Sequence, residues 1–381
     1  MNIIKVLHIS PSGILYGTER HILSIVKYAD KQKFQHFVVT PNLGNFNELL
    51  KNLNIPFFIA GRKPGYKNNL SAVFEIKDVW PLYKIIKNGD FDIVHSHLNF
   101  YSCLITKLAG SKKVIHTRHG IFWSEEELKT IGFINRYIQM RKSKMADFTI
   151  ALSETERNTL IKYFNYSPDK ILTIYNGVSV KDVYDSLNPE LNKNTIYNTS
   201  KYVVGTVGRF ERQKGFDILL EIARNVVQRD KDILFVIIGS GSLESYYKEI
   251  VDKYNIRDNV LILGYQKNIF DFVNSFDLFV HTSRWEGVPF VILEAMALKK
   301  PIAAISHPNV TGISEVIING ESGLLAENNY IQTMTDFIFN LKNNRNLQED
   351  LAARSFERVK NIYTEENMSD EMHKIYNKLV E

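Results

Sequence analysis

The sequence predicts an α/β protein made of two doubly wound parallel-sheet halves in tandem. Three observations carry this expectation. Short apolar runs rich in β-branched residues alternate with longer amphipathic segments, the pattern of a parallel sheet covered on both faces. A polar, Asn-rich stretch at 186–200 interrupts the alternation, which then begins again. Each half opens with a strand that runs into a glycine turn. The length agrees, since 381 residues exceed one ordinary core and suit two domains.

The first half is set at residues 1–185. "IIKVLHIS" (3–10) reads as a strand, and "TERHILSIVKYA" (18–29) as a helix with Ile22, Ile25, Val26 and Ala29 on one face. "FQHFVVT" (34–40), "FDIVHSH" (91–97), "KKVIHTRH" (112–119) and "FTIALS" (148–153) continue as strands. "SLNPELNKNTIYNTS" (186–200) has few apolar anchors and reads as a linker. The second half is set at 201–360. "KYVVGTVGRF" (201–210) is a strand and turn, and "FDILLEIARNVV" (216–227) a helix. "ILFVIIGSGS" (233–242), "NVLILGY" (259–265), "DLFVHTS" (277–283) and "PIAAIS" (301–306) are strands. The tail reads as helical from about Tyr330 to the end.

Composition narrows the function classes. The chain has 47 basic and 42 acidic residues, a net charge of +5. That is too mild for a dedicated nucleic-acid binder, but suits an anionic small molecule or a loose hold on an anionic membrane. A single cysteine, Cys103, excludes an intrachain disulfide and fits a reducing compartment. It reads as a small core residue, because no activating constellation accompanies it. No signal peptide is expected after Met1-Asn2, and runs such as Ile233–Ile238 fall far short of the ~20 residues of a membrane span. The expectation is a cytoplasmic protein, free or at the inner face of the cell membrane.

Four segments carry candidate chemistry. In "SGILYGTER" (12–20), Gly13 and Gly17 permit tight turns before a helix start that offers N–H groups to an anion. A plain turn capped by Thr18 is the equal alternative. In "GRFERQKGFD" (208–217), Arg209, Arg212 and Lys214 crowd a loop at a strand's carboxyl end, where cations suit a diphosphate; a solvated loop with ordinary surface charge is the equal alternative for this segment alone. "IIGSGSLE" (237–244) places Gly239 and Gly241 after a strand, but Glu244 stands where a dinucleotide fingerprint needs its third glycine. The fourth segment is "SRWEGVPFVILEAMALKKP" (283–301). Pro289 fits the first turn of a helix running through Phe290–Leu298. Glu286 precedes that turn and Glu294 lies inside the helix. An anion resting on the exposed N–H groups around Val288–Phe290, in the turn formed by Gly287 and Pro289, would be flanked by two carboxylates, each matching the vicinal hydroxyls of a sugar. The plain alternative is a solvated turn acid and a paired helix acid.

Taken together, "EGVPFVILEAMA", with seven residues between Glu286 and Glu294, and "GRFERQKG", with Arg209 and Lys214, resemble family 4 of the retaining glycosyltransferases. "FDIVHSH", "ADFTIALS" and "IYNGV" (174–178) are similar to further landmarks of that family. The resemblance implies the GT-B fold, two Rossmann-like domains facing across a cleft. The first would bind the acceptor and the second the nucleotide sugar, and a last helix, 361–381, would cross back to the first. It implies transfer of a hexose or N-acetylhexosamine, with retention, from a nucleotide-diphosphate sugar to a surface-glycan or lipid-linked saccharide. UDP is the preferred nucleotide and GDP-mannose comes next. By the same resemblance Arg209 and Lys214 neutralise the leaving diphosphate, Glu294 holds the ribose and Glu286 contacts the donor hexose. Gly17 lets the first loop approach the phosphates, although Tyr16 stands where the family often has a second glycine. His119, in "HTRHG", lies near the donor sugar, and Gly239 and Tyr265 are counted with the donor contacts.

No cofactor or metal is expected. "DFD" (90–92) precedes a strand, and His95 and His97 fit a structural or acceptor-side role better than a metal site. The basic segment "INRYIQMRKSKMAD" (134–147), with Arg136, Arg141, Lys142 and Lys144, reads as a solvated helix face, with contact to anionic lipid as the alternative. Two rival functions stay open at this stage: a sugar-nucleotide epimerase of the same fold, and a nucleotide-sugar-binding protein without catalysis.

Overall fold

The computed structural model describes residues 3–61, 78–97, 100–120, 123–307 and 309–381. The chain forms two compact units. The first comprises Met1–Gly120, Glu127–Gly177 and Glu365–Glu381, and the second Ile121–Glu126 and Val178–Thr364.

The first unit holds seven parallel strands: β1 (Ile4–Ile9), β2 (Phe34–Thr40), β3 (Phe57–Ile59), β4 (Ile93–Ser96), β5 (Lys113–Thr117), β6 (Phe148–Ala151) and β7 (Ile171–Thr173). Their order across the sheet is β3-β2-β1-β4-β5-β6-β7. The second unit holds β8 (Tyr202–Val207), β9 (Ile233–Ile238), β10 (Val260–Ile262), β11 (Leu278–His281), β12 (Ile302–Ile305) and β13 (Leu324–Ala326), in the order β10-β9-β8-β11-β12-β13. Both repeat the doubly wound 3-2-1-4-5-6 order, with switch points between β1 and β4 and between β8 and β11. All six residues of β9, Ile-Leu-Phe-Val-Ile-Ile, are buried, as a central strand covered on both faces requires. The core of the second unit joins Phe210, Phe216, Leu219, Phe235 and Val280.

Three strands escape a sequence reading. β3, β7 and β13 are three-residue edge strands, each with a single neighbour, and too short to show an apolar run. The stretch 186–200, expected to be a linker, is instead anchored to the second unit. Asn192 caps the short helix Lys193–Tyr197, accepting the N–H groups of Asn194 and Thr195 at 2.9 and 3.2 Å. Lys193 pairs with Asp277 at 2.9 Å, and the Asn188 N–H donates to Asp271 at 2.7 Å. Here the asparagines act as caps, a local role that composition does not separate from slack.

Apart from the short segment Ile121–Glu126, the chain passes between units at Gly177/Val178 and at Thr364/Glu365, where the sequence predicts 185/186 and 360/361. The helical tail is three helices, Tyr330–Asn343, Arg345–Asn361 and Glu365–Val380. The last belongs to the first unit. Its Met368, Met372, Ile375, Tyr376 and Leu379 join Val6, Ile25, Ile93 and Ile115 in one core, and its Glu365 accepts the Ser24 hydroxyl at 2.8 Å. Among the described residues no helix is long and apolar enough to cross a membrane.

Candidate active site

Ligands of doubly wound sheets bind outside the carboxyl ends of the strands, at the switch point. In the second unit the loops after β8 and β11 flank that point, and they carry Arg209, Lys214 and Glu286. After β8 the chain makes a one-turn 3₁₀ helix, Arg212–Lys214, and Gly215, at φ +64°, swings it into the helix Phe216–Arg229. A side chain at Gly215 would meet the Thr282 carbonyl, so the left-handed turn and the close approach both require glycine.

The two loops are stitched together. The Arg284 N–H donates to the Gln213 carbonyl at 2.7 Å, and Gln213 Nε2 donates to the Trp285 carbonyl at 2.9 Å. Thr282 Oγ1 donates to the Lys214 carbonyl at 3.0 Å. Arg284 holds Asp217 with two hydrogen bonds, 2.9 and 2.6 Å, and Arg212 through its carbonyl at 2.9 Å. The outcome is a direct ion pair between Lys214 Nζ and Glu286 Oε2, side chains only 12% and 16% exposed. Ser283 Oγ also donates to Glu286, at 3.3 Å, and the Glu286 backbone bonds Val310 and Gly312 at 3.0 and 3.1 Å. Burial pushes the Glu286 carboxyl up, but the charges of Lys214 and Arg209 and the hydrogen bond from Lys214 outweigh it and hold it below its ordinary value. Arg209 itself donates to Gln213 Oε1 at 3.1 Å. His281, at the end of β11, is pushed down to about 3 by burial, then by the Lys214 charge. It is therefore neutral beside the pair.

Glu294 sits in the helix Phe290–Ala297 and is fully buried. Gly287, Val288 and Pro289 are buried ahead of it. The helix begins at Phe290, as expected, with Pro289, at φ −76° and ψ 133°, as its N-cap rather than inside its first turn. Gly239, at φ +146°, donates its N–H to the Gly264 carbonyl at 2.9 Å. The space of a Cβ there is filled by the Gly208 carbonyl, so this glycine seats the Arg209 loop itself. Tyr265 follows Gly264 and is 74% exposed.

In the first unit, Gly17 opens the helix Gly17–Lys27. Its N-cap is Tyr16, not Thr18. The Tyr16 N–H donates to Glu19 Oε2 at 3.1 Å, and the Ser10 hydroxyl donates to Glu19 Oε1 at 3.0 Å. Burial pushes Glu19 up to about 7. His119 follows β5, with Nε2 3.2 Å from His97 Nδ1. His95 bonds Tyr376 and Thr117, both at 2.7 Å, and nitrogens of His8, His95 and His97 lie within 4.8 Å of one another. Burial pushes Cys103 up to about 12, consistent with a core thiol. Asp90 and Asp92 precede β4 and pair with Lys112 at 3.6 and 3.1 Å.

Sequence reasoning found both members of the Lys214–Glu286 pair but not their contact. It missed Gln213, Ser283 and the Arg284–Asp217 clamp. An arginine and an aspartate 67 residues apart, on two strand-end loops, offer no local signal.

Residues 16–182 match the family described as Glycosyltransferase Family 4, and residues 188–358 match Glycosyl transferases group 1. The chain is 30% identical over 303 residues to an uncharacterized glycosyltransferase of Methanocaldococcus jannaschii, covering 77% of this chain and 78% of that one. It is 27% identical over 338 residues to the UDP-Gal:alpha-D-GlcNAc-diphosphoundecaprenol alpha-1,3-galactosyltransferase of Escherichia coli, covering 87% and 86%. Among solved structures, Anabaena HepE in complex with UDP and glucose is similar at a TM-score of 0.80 and 18% identity, over 98% of this chain and 100% of that one. With a 30% identical relative covered over most of its length, the chain belongs to the glycosyltransferases, and it has the GT-B fold.

Proposed function

We propose that the protein transfers a hexose or N-acetylhexosamine, with retention, from a UDP-sugar to a hydroxyl of a surface-glycan or lipid-linked saccharide. The observation that carries this reading is the Lys214–Glu286 pair beside Arg209 at the switch point of the second unit. Breaking a glycosyl–phosphate bond builds negative charge on the leaving diphosphate and positive charge on the sugar. Arg209 and Lys214 stabilise the first. Glu286 orients the donor hexose, and Glu294 takes the ribose hydroxyls. The main-chain N–H groups near Val288–Phe290, together with Gly239 and Tyr265, complete the donor contacts. Gly17 and His119 belong to the first unit, which takes the acceptor. The UDP of the HepE complex and the diphosphoundecaprenol acceptor in the name of the E. coli relative support the choice of nucleotide and acceptor class.

Retention is accounted for by same-face substitution. The bond from the anomeric carbon to the phosphate oxygen breaks, the acceptor oxygen bonds that carbon on the same face, and its proton passes to the leaving phosphate. Positive charge for the diphosphate comes from Arg209 and Lys214, so transfer should proceed in EDTA and needs no cofactor. Activity abolished by EDTA and restored by manganese would overturn this. Action at the inner face of the membrane is supported by the helix Phe133–Ser143. It exposes Phe133 (80%), Ile134 (73%), Tyr137 and Ile138 beside the exposed Arg136 and Arg141; the Lys142 side chain lies outside the described residues.

The test is a panel of nucleotide sugars without acceptor, following nucleotide release and sugar identity, for wild type, Glu294→Ala and Lys214→Ala. Slow release from one donor, lost in both variants, is expected. Conversion of the sugar would favour an epimerase. Donor binding with no turnover under any acceptor would leave a binding protein, and no binding at all would remove the site at 283–301.

A further inference from the structure

Five imidazoles of the first unit form one hydrogen-bonded chain. His119 Nε2 lies 3.2 Å from His97 Nδ1, and His97 Nε2 lies 3.1 Å from His8 Nδ1. His8 Nε2 lies 2.9 Å from His36 Nδ1, and His36 Nε2 lies 3.1 Å from His373 Nε2. The chain ends at Ser369, whose hydroxyl oxygen is 3.2 Å from His373 Nδ1. It runs from the loop after β5, across β4, β1 and β2, to the last helix.

A neutral imidazole has one N–H donor and one acceptor nitrogen, so a chain of them has a direction set at its ends. One end is determined. The Ser369 hydroxyl has a single proton, which it donates to the Ile25 carbonyl at 3.1 Å. A carbonyl only accepts, so toward His373 the hydroxyl must accept and His373 carries its proton on Nδ1. His373 Nε2 is then an acceptor, and His36 must donate from Nε2. The same step repeats at His8, at His97 and at His119. Burial holds all five imidazoles below their ordinary value, His36 at about 3 and His373 at about 4, so each is neutral near pH 7. His21 and His95 pack beside His97, with ring centroids 5.5 and 4.0 Å away, and are bonded elsewhere, to Asn176 and to Tyr376 and Thr117.

We propose that this relay, anchored at Ser369, fixes His119 as the Nε2–H tautomer and so presents its Nδ1 as a hydrogen-bond acceptor for a substrate hydroxyl. That the hydroxyl belongs to the donor sugar rests on the transferase reading above. His97, His8, His36, His373 and Ser369 act through His119 and are positioning residues.

The test is a two-bond ¹H–¹⁵N correlation spectrum of the full chain, labelled with ¹⁵N-histidine, at pH 7.5. Wild type should show His119, His97, His8 and His36 as Nε2–H tautomers and His373 as the Nδ1–H tautomer. The His119 signal is identified by its loss in His119→Gln. An Nδ1–H tautomer or an imidazolium at His119 would overturn the proposal. This measurement needs no substrate, so it holds or fails separately from the transferase reading, which the donor panel decides. Ser369→Ala should give mixed tautomers at His119 and lower kcat by about fivefold to tenfold, the rate equivalent of one hydrogen bond, with KM unchanged. Ser369→Thr, which keeps the hydroxyl, should restore both. A Ser369→Ala protein with an unmixed Nε2–H His119 and full kcat would refute the anchoring role.

Discussion

Lys214 should be needed twice, once for charge in the reaction and once for the stability of its partner, and the two roles can be separated. Its ammonium pairs with Glu286 in a setting where both side chains are more than four-fifths covered. Removing one partner of a fully buried pair costs about 3–5 kcal/mol, while an exposed pair is worth about 0–1. The residual exposure here places Lys214→Met between the two ranges and closer to the buried one, about 2–3 kcal/mol. In that variant the largest counterweight to burial is gone and the Glu286 carboxyl shifts up, although the Arg209 charge still acts on it. The double variant Lys214→Met/Glu286→Gln has no stranded charge and should recover most of that stability. Its activity should not recover, because loss of a cation facing the leaving group costs about 2.7–4 kcal/mol in the transition state, a factor of about 10²–10³ in kcat. Urea unfolding measures the first quantity, and nucleotide release at saturating donor and acceptor the second. A Lys214→Met enzyme with kcat within threefold of wild type would refute the leaving-group role. A double variant no more stable than the single one would refute the account of the pair.

Three further predictions follow from the two units. Seven histidines of the first unit, His8, His21, His36, His95, His97, His119 and His373, are held by burial below their ordinary 6.5. Unfolding lets each bind a proton below that value, so stability is full above pH 6.5 and falls on acidification. The slope is about 1.4 kcal/mol per pH unit for each imidazole, offset by the same amount for Glu19, which is raised to about 7 and so binds its proton more tightly in the folded state, and a typical reserve of about 5–15 kcal/mol should be exhausted between about pH 6 and pH 5. Denaturant midpoints that stay flat from pH 8 to pH 5 would contradict this. Gly239→Ala should cost more than about 4 kcal/mol and leave the second unit unfolded, because its Cβ would lie 1.8 Å from the Gly208 carbonyl at φ +146°. Gly264→Ala, at φ +67° with open space around the Cβ, should cost only about 1–2 kcal/mol, and equal midpoints for the two by thermal unfolding would refute the distinction. Phe133→Ser/Ile134→Ser should weaken sedimentation with phosphatidylserine vesicles without altering kcat on a soluble acceptor. Undiminished vesicle binding would remove that helix from the membrane contact.

Much of this was legible in the chain itself, because it rests on neighbours in sequence. The β-branched runs of β1, β2, β8 and β9 announce buried parallel strands, since such strands are apolar on both faces. The cations of the β8 loop and the two glutamates near the start of the Phe290–Ala297 helix are visible as local spacing. The start of that helix at Phe290 is legible too, with Pro289 serving as its N-cap. What sequence could not supply is adjacency. The 3-2-1-4 strand order sets β8 beside β11, and only that order carries Lys214 to Glu286 across 72 residues. The histidines look unremarkable one by one; the contacts that turn them into a chain span between 22 and 337 residues. Local periodicity determined which segments are strands and helices. The pairing of strands and the return of the last helix decided which distant side chains share a low-dielectric interior, where a lone imidazole or carboxylate must find a partner.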